Sequence, residues 1–160
     1  MPLQQVVARL SEIDANLAKK SHLPKSRVEQ QHEFGPLPFE MNGVDGVKQF
    51  RKLELKGWTF KASETSLKDN VALLDSGEVA ILRNVLLNPE NETLIVYQKF
   101  SSKSSLYDYP LPSSDVNIFF VSKLCDTCYV TPCSKIYRKC VCIPVKGQRG
   151  FAIIPLAHSE

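Results

Sequence analysis

All five cysteines of this 160-residue chain fall in one stretch, Leu124 to Pro144, which reads LCDTCYVTPCSKIYRKCVCIP. Thiols can hold a soft metal ion or exchange electrons, so chemistry is sought here first. Cys125 and Cys128 form a C-x-x-C, and a tight turn at that spacing can aim two thiolates at one zinc ion. A closed structural site needs two more ligands. Cys140 and Cys142 lie in the apolar run KCVCIPV. On an extended strand such a pair shares one face, with side chains roughly 6.5–7 Å apart. That is too far for one tetrahedral zinc with Zn–S bonds of about 2.3 Å. Cys133 and His158 are the other candidate ligands. The competing reading is small buried thiols filling a β core. A zinc-stapled domain using Cys125 and Cys128 is therefore an alternative beside a plain β-domain that needs no cofactor.

Other chemistry is thinly represented. A redox C-x-x-C sits at a helix N-terminus, whose dipole lowers the thiol pKa. Here Asp126 adds negative charge between Cys125 and Cys128, and no helical pattern follows. The three histidines, His22, His32 and His158, stand in a linker and at the tail. There is no nucleophile elbow, P-loop or glycine fingerprint, so the sequence points away from an enzyme. The net charge of +3 does not by itself argue for nucleic acid. Its distribution is uneven. After Asp126 the only acidic residue is Glu160, while Lys135, Arg138, Lys139, Lys146 and Arg149 are basic. Nucleic-acid binding by this basic C-terminal third is the second alternative, with stacking partners limited to Tyr129, Tyr137 and Phe151.

These residues must be carried by something. In residues 1–20, Val6, Leu10, Ile13 and Leu17 recur at helical spacing, which predicts an N-terminal helix with one apolar stripe. That stripe packs on the body of the domain or on a second copy of the chain. Residues 21–46 hold Pro24, Pro36, Pro38, Gly35, Gly43 and Gly46 and read as an irregular arm, which Phe34, Leu37 and Phe39 could dock. From 47 to 160 the pattern is β. Leu53 and Leu55 alternate with charges, and past Gly57 the parity shifts to Trp58 and Phe60, which suggests a β-bulge. Val71 to Leu74 and Val79 to Leu82 flank Asp75-Ser76-Gly77-Glu78 as a hairpin. Strands follow over 94–100, 116–121, 128–131, 139–145 and 151–156. Residues 101–105 and 107–115 read as loops, and 146–150 as a hairpin turn. Many short strands at near-regular spacing predict an all-β barrel or sandwich.

No apolar run approaches the roughly 20 residues of a membrane span. The N-terminus lacks the features of a signal peptide, and the cysteine count is odd and clustered. Together these predict a reducing compartment, nuclear or cytoplasmic.

Residues 68–145 resemble a bromo-adjacent homology (BAH) domain. The phrases that carry the likeness are Asp69-Asn70-Val71-Ala72-Leu73, Ala80 to Val85, Ile95 to Phe100, Val116 to Ser122, and above all Tyr129 to Cys142. The chain is also similar to BAH-like modules of transposon-derived animal proteins. That likeness runs through Asp69 to Gly77, Phe100 to Pro110, Lys139 to Pro144 and Pro155 to His158. The resemblance implies a small twisted β-barrel, a chromatin- or transposon-related setting, and a non-enzymatic module that binds a protein or a histone-tail peptide. In methyl-lysine-reading members an aromatic cage holds the ammonium group by cation–π contact. Here Gln98 or Lys99 stands where that cage has a tryptophan. Phe100, with Trp58, Tyr107 and Tyr109, is the set from which a different partner site could be built. For Trp58 and Phe60 the favoured reading is core, because large aromatics mostly bury their area in packing.

Overall fold

The computed structural model describes residues 25–41 and 43–157. The helix expected over 1–20, with its stripe for self-association, lies outside them. Within them the chain is all-β, with ten strands: β1 (Ser26–His32), β2 (Lys48–Leu55), β3 (Trp58–Lys61), β4 (Val71–Leu74), β5 (Val79–Leu87), β6 (Thr93–Ser105), β7 (Phe119–Leu124), β8 (Tyr129–Pro132), β9 (Ile136–Pro144) and β10 (Phe151–Pro155). Short 3₁₀ turns occupy Phe39–Met41, Ser113–Val116 and Cys133–Lys135. No helix among the described residues is long and apolar enough to cross a membrane.

The strands form one antiparallel sheet in the order β1-β2-β5-β4-β9-β10-β7-β6-β8, with β3 paired to β2 and an added pairing of β5 to β6. That added pairing brings the path back on itself. The sheet is nevertheless not the closed barrel expected, because it branches. One edge of β5 pairs β4 over Val79–Ile81 and β2 over Val85–Leu87. One edge of β6 pairs β8 over Leu94–Tyr97 and β7 over Phe100–Ser105. Two long strands thus each serve two neighbours, and β1, β3 and β8 are left at open margins.

The branching makes more than one core. Leu53, Leu55, Trp58, Phe60, Ala72, Leu74, Ala80 and Leu82 pack in the first, and Val71, Leu73, Val79, Ile81, Phe100, Phe119, Val121 and Ile153 in the second. Alternate residues of β4 and β5 therefore face different cores. A strand with apolar matter on both faces reads as an unbroken apolar run, which is why VALL and VAIL do not alternate. A third, smaller cluster joins Leu86, Leu94 and Val96 and takes Leu37 of the arm against it.

The hairpin over 71–82 forms as expected, with Val71 opposite Ile81 and Leu73 opposite Val79. Three local expectations are corrected. Gly57 marks a two-residue hairpin, not a bulge: Lys56 and Gly57 have φ of 52° and 81°, and Leu55 pairs with Trp58. Such a turn needs positive φ at both positions and reverses the parity, so Leu53, Leu55, Trp58 and Phe60 meet on one face. Residues 26–32, expected in the irregular arm, form β1. It carries a single apolar side chain, Val28, and is held by pairing to β2, with Lys52 bonded to Glu29 directly opposite at 3.0 Å. Residues 101–105, expected as a loop, extend β6 along β7, since backbone pairing needs no apolar side chain.

Candidate functional site

Between β6 and β7 the chain makes a loop, residues 106–118, that exposes large apolar groups. Tyr109 is 88% exposed and Leu111 60%, and Leu106, Tyr107 and Val116 are also exposed. Folding gains nothing from leaving such side chains in water, so something else must hold the loop in shape. That anchor is Ser113, which is fully buried. Its Oγ accepts the N–H groups of Leu106 at 2.6 Å and Tyr107 at 3.1 Å, and its hydroxyl donates to the Ile118 carbonyl at 2.9 Å. The backbone adds Ser113 N–H to the Tyr107 carbonyl and Ile118 N–H to the Ser113 carbonyl. Ser105 donates to Ser114 at 2.8 Å across the loop's base. One hydroxyl thus ties both ends of the loop, and the apolar tips project from a fixed frame.

The four aromatic residues named for a partner site do not come together. Tyr107 and Tyr109 lie on this loop, but Trp58 is buried in the first core and Phe100 in the second. The pairing of Leu55 with Trp58 turns the indole inward, and Phe100 packs against Phe151 with ring centroids 6.0 Å apart. Neither can face a ligand beside Tyr109. A second aromatic pair, Tyr97 and Tyr129, has ring centroids 5.8 Å apart, but Lys99 Nζ sits 4.7 Å from the Tyr129 centroid and pairs with Glu78 at 3.0 Å. The hydrogen bond that Lys99 donates to Glu78 holds its ammonium above the usual lysine pKa, so the chain's own cation occupies this aromatic face.

The five basic residues are also not one surface. Lys139 is turned inward: its ammonium meets Asp69 at 3.2 Å, donates to the Thr59 carbonyl, and lies 5.6 Å from the Phe60 ring. Arg138 stacks on Tyr137 at 5.4 Å. Lys135, Lys146 and Arg149 are exposed, the last two in the β9–β10 turn.

The cysteines disperse as well. Cys133 is in the first core, Cys140 is in the second with Cys142 against it, and Cys128 packs on the third. Residues adjacent in sequence thus sit on different sides of the sheet. Among the described residues no group of three or more histidine, cysteine or acidic side chains is placed to hold a metal ion. Cys125 and Cys128 are both half-buried. Desolvation pushes the Cys128 and Cys133 thiols above the usual range, which disfavours the thiolate that binds zinc.

A polar site not foreseen from the sequence lies on β5. The register of β5 against β6 shifts between Leu82 and Asn84, at Arg83, and the two polar residues are buried in an otherwise apolar strand. Asn84 is fully bonded. Its amide donates to Gln49 Oε1 at 2.9 Å and the Pro36 carbonyl at 3.2 Å, and its oxygen accepts the Val85 N–H at 2.9 Å. His32 Nδ1 accepts the Phe34 N–H at 3.2 Å, which leaves the ring proton on Nε2 to donate to Asn84 at 3.0 Å. Gly35 is required beside it, because a Cβ there would lie 2.2 Å from Asn84 Nδ2. Arg83 donates to Gln98 Oε1 at 2.7 Å and to the Ser63 and Ser66 carbonyls at 2.9 and 3.1 Å. Next to it opens a cavity of about 440 Å³. The signal for this site was present in VAILRNVLL, where Arg83-Asn84 interrupts an apolar run.

Fold and site together define an all-β protein of one branched sheet, with a pinned apolar loop and a buried polar network. Residues 31–156 match the family described as Domain of unknown function (DUF8592), and the chain belongs to that family. No curated protein and no solved structure matches the chain.

Proposed function

We propose that this chain is a non-enzymatic protein-interaction module that engages a partner protein or peptide through the loop at 106–116. The observation that carries the reading is the pairing of exposure with order: Tyr107, Tyr109, Leu111 and Val116 stand in water on a loop tied by the buried Ser113. An ordered apolar projection loses little entropy on binding, and tyrosine is among the residue types that dominate interface energies. The likeness of residues 68–145 to BAH domains supports a chromatin setting, a nuclear location and a histone-tail peptide as a partner class. The inward Lys139 removes the middle of the basic C-terminal stretch, so the 106–116 loop is favoured over nucleic-acid binding.

Capture from extracts of the expressing cells tests this, with wild-type protein and a Tyr109→Ser/Leu111→Ser variant compared before and after nuclease. The expected result is a protein retained by the wild type through nuclease treatment and lost with the variant. Retention by both, or loss on nuclease treatment, overturns the proposal. Steep loss with salt would instead favour a nucleic-acid partner.

A further inference from the structure

We propose that the cavity beside Arg83 is a binding site for a carboxylate group. Arg83 is 9% exposed, and among the described residues it forms no ion pair with a carboxylate. A guanidinium has five N–H donors. The Nε and Nη1 bonds to Gln98, Ser63 and Ser66 occupy three of them and fix the plane of the group. The two donors on Nη2 have no protein acceptor among the described residues, and Arg83 lines the cavity. A charge taken this far out of water is costly unless compensated. Burial accordingly pulls the Arg83 pKa below the usual arginine value. The neutral acceptors already in place hold the side chain, and the Glu64 carboxylate that shares the cavity offsets only part of its charge, without forming an ion pair.

The rest of the cavity narrows the ligand class. Arg51 and Glu64 also line it, together with His32, Phe34 and Ser63. His32 spends both ring nitrogens on Phe34 and Asn84 and adds no charge in that tautomer. Two guanidinium groups and one carboxylate leave a single net positive charge, which matches a monoanion and not a phosphate dianion. With Nε and Nη1 already committed, the ligand meets the two N–H groups of Nη2, each of which can donate a charge-assisted bond to a carboxylate oxygen. Phe34, 82% exposed, offers an apolar contact to whatever bears the acid. The carboxylate could belong to an acidic side chain of a partner protein or to a small organic acid, and the chemistry of recognition is shared.

The test follows the Arg83 side-chain Nε–H resonance of ¹⁵N-labelled full-length protein at constant ionic strength. Three probes are titrated: acetate, the capped peptide acetyl-Ala-Glu-Ala-amide, and inorganic phosphate. A saturable shift with the carboxylates and none with phosphate is expected. Tighter binding of the peptide assigns the site to a protein side chain, and equal binding assigns it to a free acid. Two exposed positions give opposite signs without touching the core. Arg51→Gln should weaken carboxylate binding about threefold and Glu64→Gln should strengthen it about threefold, as expected for single exposed charges. Absence of a saturable shift, phosphate binding as tight as carboxylate, or affinity unmoved by both variants overturns the proposal.

Discussion

Burial pushes the Cys140 thiol up to about 12 and the Cys142 thiol up to about 11. Both side chains are packed on the second core, so they behave as small apolar groups near neutral pH. The linkage has a definite sign. The usual thiol value is 9, so Cys140 contributes stability that is fully present below pH 9 and is lost as pH rises toward about 12, where the unfolded chain alone gains by ionising. The gap amounts to at most about 4 kcal/mol. Chemical denaturation of the wild type at increasing pH above 9 should show this loss, and Cys140→Val should flatten it. Parallel curves for the two proteins would show that the thiol is not held neutral by the fold. At this scale the residue types were legible in sequence and their neighbours were not. The C-x-x-C and C-x-C look like one cluster along the chain. Strand alternation and the turn at Cys133–Lys135 then send the thiols to three different cores. The converse holds for Arg83-Asn84, whose interruption of an apolar run was visible. Its partners, at His32, Gln49, Ser63 and Gln98, are distant in sequence and could not be inferred from spacing.

The element that matters most is the loop joining β6 to β7, and Ser113 is its keystone. Ser113→Ala leaves the part-buried N–H groups of Leu106 and Tyr107 and the Ile118 carbonyl without their shared partner. The expected loss is about 1–3 kcal/mol. Limited proteolysis should then cut within 106–112 in the variant and spare the wild type. Equal resistance would show that the loop's order does not depend on this hydroxyl. The loop itself was legible as YDYPLPSSD, because two prolines and a polar cluster break the β pattern. Its order was not, since one serine among several gives no sign that it is buried. The hairpin at Lys56-Gly57 shows the same limit. A parity shift at a glycine fits both a bulge and a two-residue turn, and only the pairing of Leu55 with Trp58 separates them. β1 was hidden because an edge strand with one inward apolar residue carries no periodic signal.

Across the whole molecule, the all-β class was legible because alternation and turn residues recur along most of the chain. The branched sheet was not, since nothing in β5 or β6 says that one edge will serve two neighbours. Branching has a functional consequence. With two cores filling both faces of β4 and β5, the central strands have no free surface for a partner, and large exposed side chains collect in the arm, in the loop and on β9. The 106–116 loop, and not the basic turn between β9 and β10, is the proposed partner surface. A photo-crosslinking amino acid placed at position 109 or at position 149, with irradiation of the protein in cells that express it, separates the two. A covalent protein adduct is expected from position 109 and none from position 149. Adducts formed only from position 149, and with nucleic acid, would contradict that assignment.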